Sequence, residues 1–154
     1  MGNEDVDRRT AILNAAVESF GTLGYYGTSL QKIATMVGLT KAGVLHYVGS
    51  KEGLLTTVLN EMYDRETEDV TANMVREAEP LIADMWRRVV AINAKRPKLV
   101  HMFSTLSAEA LNPDHPAHDY FATREEHVVD VARNIRWRVP AGVDAEQMLR
   151  AGFA

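Results

Sequence analysis

Apolar residues recur along this chain at three- and four-residue intervals, the period of one helix face, and nowhere alternate in the two-residue period of a strand. Residues 7–23 place Ile12, Ala15, Ala16, Phe20 and Leu23 on one stripe, with Phe20 the expected core anchor. Residues 21–27 read as a connection in which Tyr25 and Tyr26 pack as a pair, one ring over the first helix. Two short patterns follow between 28 and 51, separated by a single glycine. Leu30, Ile33, Ala34 and Val37 share one face; Gly38 permits the positive φ of a tight helix end, Leu39 can tuck inward, and Thr40 can cap a second helix from Lys41. Thr28 is expected to cap the first of the pair, with Gln31 reaching back in a capping box. Helices this close in sequence pack at an angle, so the stretch predicts a helix-turn-helix.

Further along, Ser50 is a good cap for a long helix over residues 51–79, with Leu55, Val58, Leu59, Met62, Tyr63, Val70 and Met74 as its apolar side. Such a rod can transmit movement. Pro80 ends it and can start the next helix, in which Leu81, Ile82, Met85, Trp86, Val89, Val90 and Ile92 are apolar nearly all round. Pro97 breaks that helix, and another is predicted over 98–110. A loop with two prolines at 112–116 leads to a helix over 117–137. Asp144 caps a short last one over 145–154 that carries Met148, Leu149 and Phe153. The fold class is all-α.

The outward groups of the second short helix carry the chemistry. It is about seven residues long, roughly 10 Å at 1.5 Å per residue, a length that fits across a DNA major groove. Thr40, Lys41, His46, Tyr47, Ser50 and Lys51 supply hydroxyls, an imidazole and ammoniums that can meet phosphate oxygens or base edges. Gly43, inside that helix, costs about 1 kcal/mol relative to alanine, which close approach to another surface would justify. Arg8 and Arg9 could touch phosphate from the start of the first helix.

Gly24-Tyr25-Tyr26-Gly27-Thr28-Ser29, Ile33-Ala34, Val37-Gly38-Leu39-Thr40-Lys41 and His46-Tyr47-Val48-Gly49-Ser50-Lys51-Glu52-Gly53-Leu54-Leu55 resemble the DNA-binding domain of TetR-family transcriptional regulators. The resemblance runs from about Arg8 to Leu59. It implies a three-helix helix-turn-helix DNA-binding domain over 1–50 and a helical effector-binding and dimerisation domain over 51–154. It further implies that Thr28, Thr40, Lys41, Tyr47 and Lys51 contact the DNA backbone, while Ala42, Gly43, Leu45 and His46 face bases. The chain departs from the family at Leu45, where an aromatic is usual, at Val48, where phenylalanine is usual, and at Gly49, in place of proline or a polar residue. Operator DNA, a small-molecule effector and a second copy of the chain are the implied partners. In the family two final helices pack against their two-fold mates; here the chain stops after 145–154, so either it is truncated or its dimer is built otherwise.

Composition adjusts this picture rather than making it. The 154 residues carry a net charge of −4, which by itself argues against a nucleic-acid partner. Through Thr57, however, five basic residues (Arg8, Arg9, Lys32, Lys41, Lys51) balance five acidic ones, and three of those acids, Glu4, Asp5 and Asp7, sit at the start of the first helix, where they complement its dipole. Between 61 and 84 there are eight acids and two bases, a solvated face that repels DNA. With few phosphate charges matched per monomer, binding should rely on dimerisation and weaken with salt. There is no cysteine, no apolar run near the roughly 20 residues of a membrane span, and an acidic start, MGNEDVD; a cytoplasmic protein is expected.

An adaptable apolar cavity is the second candidate site. Met85, Trp86, Val89, Met102, Phe103, Leu106, Tyr120 and Phe121 come from three successive helices, and methionines with aromatics suit such a cavity, although they equally suit a core. His101 could orient a polar ligand atom there. Asp114, His115 and His118 are close enough in sequence to suggest zinc or nickel, but the spacing is loose and no fourth ligand is evident, so neither metal nor cofactor is expected. Glu125 and Glu126 are adjacent on a helix and point in different directions, and no phosphate loop, nucleophile elbow or cysteine nucleophile is present, so catalysis is not expected. Two other classes stay open. One is a helical protein-interaction module, which would want exposed apolar anchors between Thr40 and Lys51; the other is a ligand-binding domain with a vestigial DNA head.

Overall fold

A computed structural model describes residues 2–152; Met1, Phe153 and Ala154, and with them the end of the helix expected over 145–154, lie outside the described residues. Among the described residues every regular element is helical. The helices are α1 (Gly2–Gly27), α2 (Leu30–Val37), α3 (Lys41–Val48), α4 (Lys51–Thr57), a π-helical segment (Val58–Asp64), α5 (Arg65–Met74), α6 (Ile82–Asn93), α7 (Pro97–Glu109), α8 (His118–Ala132) and α9 (Ala145–Ala151). The chain forms two compact units. The first takes in Met1–Tyr63 and Pro97–His118, the second Asp64–Arg96 and Asp119–Ala154. The expected reading segment 1–50 lies wholly in the first unit, which also includes α4 and α7.

In the first unit α1 and α7 lie against one another. Gly21 permits this, since a Cβ there would meet the Met102 backbone nitrogen at 3.3 Å, and Thr105 donates to the Gly21 carbonyl at 3.0 Å. Ile12, Ala16, Phe20, Ile33, Val44, Leu54, Leu55, Val58, Met102 and Leu106 are sealed from solvent and form the apolar centre of this unit. Each of these side chains larger than alanine contributes about 1.5–3 kcal/mol when withdrawn from water, so this core is a main stabilising term. Phe20 is the anchor expected, and Tyr25 stacks on it at 6.0 Å with Tyr26 edge-on to Tyr25 at 5.4 Å. Leu23 departs from the expected stripe: it is 42% exposed, in the last turn before the helix breaks at Gly24, whose φ of 70° lies outside the helical region.

The long helix expected over 51–79 is modified in two ways. Its middle is π-helical, the i→i+5 pattern that accommodates an extra residue per turn. It also ends at Met74, five residues early. Residues 75–79 continue as turn and bend, and Glu79, before Pro80, takes φ 51°.

In the second unit Val70, Met74, Ile82, Met85, Ala132, Ile135 and Leu149 form the core, with Trp86, Val89, Ile92, Trp137, Val139 and Ala145 packed against it. The helix predicted over 117–137 stops at Ala132. Trp137 folds back and its indole donates to the Ala132 carbonyl at 2.9 Å, satisfying an acceptor that a longer helix would have used internally. Asp144 caps α9 as expected, accepting from the Glu146 backbone at 2.9 Å. Arg150 then ties α9 to α8 through Glu125 at 3.2 Å and Glu126 at 2.8 Å. These two glutamates were expected to diverge; one long guanidinium reaches both. The same arginine and Arg133 hold the Glu146 carboxyl down at about 2.

Candidate nucleic-acid interface

The first unit positions a short helix, α3, with one face buried and the other open. Val44 is its only fully buried side chain. Lys41, Ala42 and His46 are exposed, while Gly43, Leu45 and Tyr47 are half-buried. Both ends of the preceding helix and both ends of α3 are closed by local chemistry. Ser29 caps α2, accepting from the Lys32 backbone at 3.1 Å, and Gly38 ends it in the left-handed region while the Leu39 N–H reaches the Ala34 carbonyl at 2.9 Å. Thr40 caps α3, accepting from the Gly43 N–H at 3.0 Å. A Cβ on Gly43 would meet that same Thr40 hydroxyl at 3.3 Å, so the cap itself supplies a reason for glycine there. Ser50 caps α4 through the Gly53 N–H at 2.9 Å. Gly53 in turn sits so near the end of α3 that a Cβ would lie 2.6 Å from the Val48 carbonyl oxygen, which fixes how closely α4 follows α3.

Thr28 corrects the sequence reading. Its side chain is 2% exposed and its hydroxyl donates to the Gly24 carbonyl at 2.8 Å, while Ser19 supports it at 2.9 Å. The cap role belongs to the next residue, Ser29, because Thr28 is turned inward to hold the α1–α2 corner. It offers no hydroxyl to a partner in this conformation.

Behind the open face lies a polar cluster within the same unit. The Tyr25 N–H donates to Glu109 at 2.7 Å, and the Tyr25 hydroxyl donates to Glu52 at 2.8 Å. Lys51 Nζ lies 4.0 Å over the Tyr25 ring, a cation–π contact. Burial, followed by the neighbouring Glu52, pushes the Tyr25 phenol upward, so it stays a donor at neutral pH. The Glu52 carboxyl is lowered by its own backbone N–H and by the Tyr25 hydroxyl. Burial lowers the Lys51 ammonium, with Glu52 and Glu109 opposing. His115 packs edge-on to Tyr25 at 5.3 Å and to Tyr26 at 5.6 Å. Its Nδ1 accepts from the Ala117 N–H at 3.1 Å, which assigns the proton of the neutral ring to Nε2, 3.4 Å from Glu109. His118 turns away to the Ala110 carbonyl, 2.8 Å from its Nδ1. No group of three or more acidic, histidine or cysteine side chains suited to a metal occurs among the described residues.

Other candidates are distributed as follows. Arg8 pairs with Glu4 at 3.4 Å and Arg9 with Glu61 at 2.9 Å. Of the nine expected cavity residues, His101, Met102, Phe103 and Leu106 belong to the first unit, where Met102 and Leu106 are core and Phe103 stacks on Tyr63 at 3.9 Å. Met85, Trp86, Val89, Tyr120 and Phe121 belong to the second. Tyr120 there donates to Asp64 at 2.7 Å, and Arg124 meets the other oxygen of that carboxylate at 3.1 Å. Sequence reasoning missed Asp64 and Arg124, since nothing local links residues 60 apart.

Two angled helices, capped and separated by a left-handed glycine, with the second exposing basic and polar groups, define a helix-turn-helix protein. Residues 12–58 match the profile of the bacterial regulatory proteins of the tetR family. The HTH-type transcriptional regulator RutR of Escherichia coli (strain K12) is 40% identical over 57 residues, covering 37% of this chain and 27% of RutR. The chain thus spans about a quarter of the length of that relative in alignment. A solved structure reported as the molecular basis for control of antibiotic production by bacterial hormones superposes with a TM-score of 0.62 and 26% identity, covering 96% of this chain and 82% of that one. A protein from Shewanella sp. PV-4 assigned to the TetR family of transcription regulators gives a TM-score of 0.63 at 21% identity, over 82% and 68% of the two chains, a likeness of fold. Residues 12–58 thus resemble the TetR-family DNA-binding domain in sequence, and the chain resembles a TetR-family regulator in fold.

Replacing Tyr25 by phenylalanine removes one hydrogen bond to a carboxylate. Tyr25→Phe is expected to destabilise the protein by about 1.5–3 kcal/mol at neutral pH in urea denaturation and to raise the Glu52 pKa. Because Glu52 is lowered in the folded state, its contribution is present above the ordinary carboxylate range and is lost as pH falls. The gap between wild type and variant should therefore narrow in acid; a gap that widens would contradict the assignment.

Proposed function

We propose that this chain is a sequence-specific DNA-binding transcriptional regulator, acting in the cytoplasm as a homodimeric repressor that a small apolar or amphipathic effector releases from its operator. The observation that carries the reading is the open face of α3, where Lys41, Ala42 and His46 are exposed on a helix capped by Thr40 and anchored by Val44. Ala42, Gly43, Leu45 and His46 face the base edges, and Thr40, Lys41, Tyr47 and Lys51 meet the phosphates. Two such helices enter successive major grooves about 34–36 Å apart on a palindromic site. The likeness to RutR, named a transcriptional regulator, supports the DNA role, and the likeness to a structure concerned with bacterial hormones supports a small-molecule signal.

The effector acts by differential affinity. A ligand shifts an equilibrium only by as much as it favours one state, so release requires tighter binding to the conformation that does not read DNA. The helical run from Lys51 to Met74, with its π-helical middle, is the element that would carry the change to the reading helix.

Substitutions separate the roles. Lys51→Ala should weaken binding to all sequences about equally and flatten the salt dependence by roughly one unit of slope, whereas substituting His46 should change the ranking among sequences. Binding isotherms on a panel of duplexes at several salt concentrations read both, and no effect from either substitution would refute the docking. For the effector, the fluorescence of Trp86 should respond to a subset of apolar and amphipathic compounds that also raise the melting temperature. Silence of both signals across a chemically varied panel would count against a ligand-binding role.

A further inference from the structure

The hydroxyl of Tyr47, an outward group of α3, already has an anionic partner in the free protein. It donates to the Asp5 carboxylate at 3.0 Å, across 42 residues of sequence, and the bond is exposed. We propose that Asp5 is an internal stand-in for a DNA phosphate: it occupies the Tyr47 donor in the DNA-free protein, and docking exchanges the carboxylate for a backbone phosphate. This inference rests on the DNA-binding reading above.

The chemistry of the exchange is closely matched. A carboxylate oxygen and a phosphate oxygen are both anionic acceptors that a phenol meets at similar distance. An exposed hydrogen bond of this kind contributes little to folding, so it can be given up without disturbing the core. Asp5 lies in the first turn of α1, where the helix dipole favours an acid, so its position is stabilised independently of Tyr47. The neighbouring charges follow the same pattern. Glu4 in that turn engages Arg8, and Glu61 engages Arg9, so acids occupy the basic groups of α1 as Asp5 occupies the phenol of α3. The consequence is a brake on affinity: an arriving phosphate must displace a like-charged group already bonded to its donor. Because the contact is to the backbone, the brake is blind to sequence.

The test measures equilibrium binding of a short random-sequence DNA duplex at low salt by fluorescence anisotropy. Wild type is compared with Asp5→Ala, with Asp7→Ala as the control for removing one nearby exposed charge, and with Tyr47→Phe alone and combined with Asp5→Ala. Asp5→Ala should tighten binding by about three- to tenfold, the effect of freeing one hydrogen bond, and by clearly more than Asp7→Ala. In the Tyr47→Phe background the gain from Asp5→Ala should shrink to that of the charge control. Both substitutions lie at exposed positions of α1, and unchanged melting temperatures would show that folding is preserved. Equal gains from Asp5→Ala and Asp7→Ala, or a gain that survives in Tyr47→Phe, would overturn the stand-in role while leaving DNA binding intact. Absence of DNA binding by wild type and every variant would overturn the DNA-binding reading, and the stand-in role with it.

Discussion

The placement of α3 depends on the corner at Gly24. There the backbone takes φ 70°, which a side chain would strain, and a Cβ would also overlap the Glu109 carboxylate. That carboxylate accepts the next backbone N–H, from Tyr25, and the Gly24 carbonyl accepts from Thr28. Thus a glycine, an acid from α7 and an inward threonine fix where α1 ends and α2 begins. Tyr25 carries the constraint forward. Its ring stacks on Phe20, its hydroxyl holds Glu52, and Lys51 lies over its face, so the start of α4 is positioned from the same corner that positions α2.

Between those fixed points α3 needs little of its own. One buried valine, one threonine cap and the near approach of Gly53 to the Val48 carbonyl are enough to hold eight residues as a helix whose other side stays free. An isolated helix of that length is marginal in water, and tertiary packing supplies what local propensity cannot. The economy has a functional consequence. Because few groups on α3 are committed to folding, Lys41, Ala42 and His46 are left open for the recognition proposed above, and the partly buried Tyr47 for the exchange of anionic partners proposed with it.

Much of this was legible in the sequence, and the rest was hidden for physical reasons. Helical periodicity marks which face of an element is apolar, so the all-α class, the angled pair at 28–51, Phe20, the Thr40 and Ser50 caps and the left-handed Gly38 could be read directly. Choosing between neighbouring hydroxyls could not: Thr28 and Ser29 are both competent caps, and only the Gly24 corner decides that Thr28 turns inward. Helix ends suffered likewise, because a contact such as Trp137 reaching back to Ala132 is settled by folding around the core. Contacts across long sequence separations, such as Asp5 with Tyr47, Glu109 with Tyr25 and Asp64 with Arg124, leave no local signature. The two glutamates at 125 and 126 show the same limit, since their divergence along the helix was evident and the arginine that gathers them was not.

The proposal that this chain dimerises to hold two copies of α3 on DNA is tested most directly by its mass in solution. Sedimentation of the 154-residue chain, with and without random-sequence duplex at low salt, reads association and DNA binding in one experiment. The expected result is a dimer that gains the mass of the duplex and loses it as salt is raised. A monomer whose sedimentation is indifferent to DNA would contradict it.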